Sequence, residues 1–176
     1  HMNKLNHHNK INDSYWKATT DIKPIDSLIT KMVKYSYSHH IERLMYLGNW
    51  FFINMINPKE VHRIFMEWTV DAYDWVMVPN IMGMSQYSDG GMMMTRMYFS
   101  SSSYINKMSN FKKTKNEEWW KIWDAIYYSF INKHYDLLKS NYATSRQTIH
   151  WKNKSMKEKD NLLDIAKKYQ SLHKII

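Results

Sequence analysis

The chain has 176 residues, 44% of them hydrophobic, which is enough for one domain with its own core. It carries no cysteine, so disulfides, iron–sulfur ligation and thiolate chemistry within the chain are excluded. A net charge of +9 favours a polyanion such as nucleic acid as partner, beside the plainer reading of a solvated basic surface.

Residues 1–14 are polar and rich in Asn, His and Lys, and read as a disordered basic arm ahead of one helical domain over 15–176. His1-Met2 reads as a cloning residue joined to a start methionine. His7-His8 has no third ligand at a sensible spacing, so metal binding is not expected there. Asp26 or Ser27 is expected to cap a helix just after Pro24. Apolar residues then recur with helical period at Leu28, Ile29, Met32, Val33, Ile41, Leu44, Met45 and Leu47, predicting one helix to about Met55. Asn57-Pro58 caps the next, with Val61, Ile64, Phe65, Trp68, Val70 and Ala72 inward and Pro79 as its end. Residues 79–110 show no sustained period and read as ordered loop with short helices, with Met92, Met93 and Met94 as core filler. Glu117 to Lys139 reads as helix, with Trp119, Trp120, Trp123, Ile126, Tyr127 and Phe130 inward. Ser155 and Glu158 form a capping box for a last helix ending near His173. The expected fold class is all-α. No apolar run approaches the roughly 18 residues of a membrane span, and no secretory signal is visible, so a soluble intracellular chain is expected.

No P-loop, dinucleotide fingerprint, nucleophile elbow or zinc-protease motif is present. His39-His40 is the first feature of note. Adjacent residues on a helix point about 100° apart, so the pair cannot clamp one metal together. Taken alone, they are core or surface histidines.

The order of residues from 37 to 110 changes that reading. Tyr37, Ser38, His39, His40, Ile41, Glu42 and Arg43 are followed by Leu47, Gly48, Asn49, then Pro58, His62 and Arg63. Asp71, Ala72, Tyr73, Asp74 and Trp75 come next, then Pro79-Asn80, Gly83, Asp89, Gly91, Tyr104, Asn106 and Met108. In that order the chain resembles the C-terminal part of the deoxyribodipyrimidine photolyase-related family, the bacterial (6-4) photolyase-like proteins with an iron–sulfur cluster. The likeness runs from about Tyr15 and Trp16 to about Trp151.

The resemblance implies an all-helical region that holds FAD in a bent shape beside a pocket for a flipped lesion. His39 and His40 match the paired histidines of that pocket, where an imidazole donates a proton to the damaged base, and Tyr98 matches an aromatic there. Arg43 and Asp71 match an ion pair beside the isoalloxazine ring; the alternative is a structural salt bridge between two helices. Asn49 and Asn80 fall in matching segments and either hydrogen-bond the flavin or cap helices.

The departures are equally specific. The four cluster ligands fall at Pro24, Lys112, Lys115 and Lys121, none of which offers a thiolate, so no cluster is expected and hydrophobic packing takes its place. The family's Trp-Tyr electron route falls at Ile64-Phe65, and Met77 stands where a polar or acidic residue is kept near flavin N5. Relatives also carry an antenna domain and a first helical half that holds the FAD phosphates. The implied function is a photolyase or cryptochrome C-terminal module, a truncated or split form with impaired light-driven lyase chemistry. It would be associated with DNA and would bind FAD weakly or beside a second chain that supplies the missing half. The alternatives are a non-enzymatic helical module that binds nucleic acid or protein, and a decayed remnant.

Overall fold

Residues 2–175 are described by a computed structural model; His1, part of the cloning reading above, and Ile176 lie outside the described residues. Pro24 sits in the first turn of the first long helix, where its missing N–H is no loss. Short α1 (Asp13–Trp16) precedes that helix, α2 (Lys23–Tyr35). Asp26 does not cap it; Ile22 holds the cap position, and the Asp26 carboxylate accepts from the Thr20 backbone N–H and hydroxyl at 2.8 and 2.7 Å.

The single helix expected to reach Met55 is broken. α2 stops where Ser36 turns left-handed at φ 51°, and the chain runs extended to His39. Helix then resumes as α3 (His40–Glu42), a π-helical stretch Arg43–Gly48 and α4 (Asn49–Ile53). α5 (Pro58–Trp68) begins on the Asn57 side-chain cap and buries Val61, Ile64, Phe65 and Trp68 along one stripe. It ends at Trp68 rather than at Pro79: Thr69 is extended and Val70 is exposed. Pro79 lies inside a second π-helical stretch, Val78–Ser85, which continues α6 (Asp74–Met77).

After an irregular stretch come α7 (Ser102–Met108) and α8 (Trp119–Lys133), then α9 (Tyr135–Ser140), α10 (Ser145–Lys152) and α11 (Met156–Leu172). His134 separates α8 from α9, so the helix read over Glu117 to Lys139 is two. The Ser155–Glu158 capping box forms as read. Met92 and Met93 are exposed rather than core, whereas Met97 is buried. Among the described residues there is no strand, only a bridge between Asn9 and Ile56, and the all-helical expectation holds.

The core gathers around aromatic side chains. Trp50 lies 4.9 Å from Trp123 between ring centroids, donates to the Tyr15 hydroxyl at 2.9 Å, and meets Tyr169 of α11 edge-on. Phe52, Phe99 and Phe130 form a second group. Burying such a side chain contributes on the order of 1.5–3 kcal/mol, so these rings fix α4, α8 and α11 together and hold the two π-helical stretches against the core.

The segment read as a disordered arm is packed. His7 is fully buried, the Lys4 N–H donates to the Ser88 carbonyl at 2.9 Å, and Asn9 exchanges backbone bonds with Met55 and Asn57. Its asparagines and one imidazole supply enough specific partners to offset the ordering entropy that its polar composition suggested would win.

Candidate functional site

π-Helical turns are rare and tend to mark functional sites, because the widened turn opens a gap on one face. Both stretches in this chain face one cavity. Gly48, the last residue of the first, allows the approach: a Cβ there would lie 2.3 Å from the Ser85 hydroxyl and 2.8 Å from the Arg43 carbonyl oxygen. Between them is a cavity of about 160 Å³, lined by Tyr37, Ser38, His40, Arg43, Leu44, Asp71, Val76, Met77, Asn80, Ile81 and Ser85.

Arg43 dominates its polar wall. Arg43 is 9% exposed, and its guanidinium makes a two-pronged pair with Asp71, Nη1 to Oδ1 at 2.9 Å and Nη2 to Oδ2 at 3.0 Å. Its Nε donates to the Ser38 carbonyl at 2.9 Å, and the Tyr37 ring lies 5.2 Å from its central carbon. The Arg43–Asp71 contact expected from sequence is therefore present, reached across the Asn57-Pro58 turn. Beside it, the buried Ser38 hydroxyl has no hydrogen-bond partner. An orphan of that kind costs about 1–3 kcal/mol unless something else satisfies it. Met77 and Ile81 form the apolar wall opposite.

The paired histidines are split. His40 lines the cavity, but His39 is the cap of α3: its Nδ1 accepts from the Ile41 N–H at 3.2 Å, and its own N–H donates to Glu42 at 3.0 Å. The His39 side chain faces a separate open groove with Tyr46, Met108 and Phe111, where burial raises the Tyr46 phenol above its usual range. Asn80 reaches the cavity while its amide donates to the Val76 carbonyl at 2.8 Å. Asn49 and Tyr98 are not among the lining residues. Asn49 is fully buried and clamps Ser100, donating to its carbonyl at 3.2 Å and accepting its N–H at 3.1 Å. Tyr98 stacks under Arg96 instead. Of the seven residues named from sequence, the structure brings His40, Arg43, Asp71 and Asn80 together and leaves His39, Asn49 and Tyr98 apart.

No family profile matches the chain. Over 144 residues, 78% of this chain, it is 37% identical to a (6-4) photolyase of Agrobacterium fabrum. The chain is photolyase-related. Its likeness is to the C-terminal part of that family, and it spans 28% of the length of the photolyase it matches. It is also 44% identical over 95 residues to an uncharacterised protein of Acanthamoeba polyphaga mimivirus, of which it covers 76%.

Within this photolyase-related chain, sequence reasoning missed Ser38 and Ser85. Ser38 sits in the same Tyr37–Arg43 run that carries the resemblance, but a serine before a helix reads first as a cap. Ser85 gave no signal, because its place follows from the π-helical geometry rather than from a motif.

Proposed function

We propose that this chain is a flavin-side module of a photolyase-related protein, of the iron–sulfur (6-4) type but without the cluster, that grips the ring end of FAD between its two π-helical stretches. The reading rests on one observation: a cavity walled by the buried Arg43–Asp71 pair with an unpartnered hydroxyl, Ser38, beside it. The size fits a ring end and no more, since a cavity of about 150 Å³ takes a single benzene ring. In this reading the Arg43 guanidinium hydrogen-bonds the polar edge of the ring system, and Met77 and Ile81 pack on its apolar part. His40, exposed at the rim, faces whatever occupies the mouth. Bound flavin would supply electrons under light.

The rest of FAD is then covered by the part of the photolyase that this sequence does not span, in the same chain or in a second one. Supporting this, Tyr37 of the cavity lining is exposed, as are Tyr35, Val70, Tyr73 and Trp75 in the chain segments next to Ser38 and Asp71, the last 79% exposed. The net charge of +9 suits DNA as the further partner. The four positions matched to cluster ligands are used otherwise. Pro24 is buried in α2, and Lys112 donates to the Asn106 and Ser109 carbonyls. Lys121 pairs with Glu118, and Lys115 is exposed.

A second reading, a helical module that keeps the fold without the flavin, is favoured by Met77 on the cavity wall, because a thioether accepts hydrogen bonds only weakly. Flavin titration decides between them. Because the cavity takes a ring end alone, FAD and riboflavin should bind with affinities within about threefold, with the flavin fluorescence quenched and its visible band shifted. Arg43→Ala should abolish both while far-ultraviolet circular dichroism persists. Absence of binding by either flavin would favour the module without cofactor.

A further inference from the structure

We infer that the N-terminal segment is an acid-released latch: His7, inserted beside His134, holds it docked near neutral pH and frees it as the pH falls. The inference stands apart from the flavin reading.

The geometry comes first. His7 is 1% exposed, and its Nε2 lies 3.1 Å from the Nε2 of His134, the residue that ends α8. That contact needs one ring to donate and the other to accept, so it tolerates at most one protonated ring and is lost when both carry two protons. Phe52 and Phe130 close the box around His7, with ring centroids at 5.6 and 6.0 Å. The His7 Nδ1 has no partner, so a protonated His7 would bury an N–H there with no acceptor. The charged and titratable groups that bear on it all act the same way: His134 and Lys133 from the end of α8 and His8 from its own segment each oppose protonation. Burial, the largest cause, and these neighbours lower the His7 pKa to about 3, and burial with Lys133 lowers that of His134 to about 4.

The rest of the segment hangs on this point. Asn3 braces the turn, its amide donating to the His7 carbonyl at 2.8 Å. Beyond His7, the Asn57 N–H donates to the Asn9 carbonyl at 2.9 Å and the Asn9 N–H to Met55 at 3.1 Å. On the other side, the Lys4 N–H holds the Ser88 carbonyl, and the Lys4 side chain covers Gly90. Met2 lies with Val78 and Met82 of the second π-helical stretch. The latch thus backs the stretch whose other face walls the cavity, and its release loosens the turn at 86–91 that follows.

The sign is fixed by the lowered value. A loose segment binds its proton near the ordinary histidine pKa, while the docked one does not. Docking is therefore at full strength above about 6.5 and weakens as the pH falls toward the docked value, by roughly 25-fold between pH 7 and pH 5 for His7 alone.

Amide hydrogen exchange by NMR, corrected for intrinsic rate, tests this on the whole chain. Protection of Asn57, Asn9 and Lys4 should fall about 25-fold from pH 7 to pH 5, while the amides of α8 and α11 keep theirs. In the double variant His7→Phe/His134→Phe, which removes both imidazoles, the fall should disappear. An equal fall in that variant, or a fall shared by every amide, overturns the latch. Should that variant not fold, the imidazole resonances of the unaltered chain decide: His7 titrating near 6.5 with the segment still protected also overturns it.

Discussion

Gly48→Ala probes the meeting of the two π-helical stretches, and its cost can be worked from the contacts. Gly48 has ordinary helical torsions, φ −60° and ψ −46°, so alanine is conformationally acceptable and gains about 1 kcal/mol of helix preference. Against this, the new methyl would lie 2.3 Å from the Ser85 hydroxyl and 2.8 Å from the Arg43 carbonyl oxygen. The hydroxyl can turn away, but it then loses the bond from the Gln86 amide at 2.9 Å, about 1 kcal/mol. The carbonyl is backbone and cannot turn without moving the stretch that carries Arg43. Overpacking of this kind costs about 1–3 kcal/mol. The net expectation is a destabilisation of about 1–3 kcal/mol, or roughly 2–10 °C in Tm for a chain of this size. Melting followed at 222 nm measures it. Adding Ser85→Ala should recover only part of the loss, since the carbonyl clash remains. A Gly48→Ala protein as stable as the parent would refute the close approach of the two stretches.

The two partners of the ion pair should differ in stability when altered. Asp71 has a side chain 48% exposed, so Asp71→Asn should cost less than about 1 kcal/mol in urea unfolding. Arg43→Ala removes the bond to Ser38 as well as the pair and should cost about 2 kcal/mol; equal costs would mean that Arg43 is held by Asp71 alone. Duplex DNA binding, measured by fluorescence anisotropy, should fall steeply between low and physiological salt and vary little with sequence, as phosphate contacts dictate. Salt-independent, sequence-specific binding would contradict that.

The class of fold was legible because helical periodicity and caps are local. Val61, Ile64, Phe65 and Trp68 give one stripe, and Asn57-Pro58 and Ser155–Glu158 announce their helices. The break at Ser36 was not legible: a left-handed serine has no sequence mark of the sort glycine provides, and the apolar period runs on past it. Pro79 misled for a related reason. It reads as a terminator, yet it lies inside one continuous helical run from Asp74 to Ser85, at the point where the run widens to a π-helix. The Arg43–Asp71 contact came from the resemblance, because two residues 28 apart leave no local signal. The resemblance also carried His39, Asn49 and Tyr98, and here the packing differs: a capping box, a clamp on Ser100 and a stack under Arg96 take their side chains elsewhere. Composition misjudged the first fourteen residues, since one buried imidazole and a few asparagine bonds weigh little in a polarity average.

The most direct test of the flavin-site claim is an amide and methyl NMR titration of the chain with riboflavin. Ligand in the cavity shifts Ser38, Arg43, Met77, Asn80 and Ile81, and leaves Asn49 and Tyr98 nearly unmoved; those shifts disappear in Arg43→Ala. Shifts centred on any other surface, or none at millimolar riboflavin, would contradict a flavin site between the two π-helical stretches.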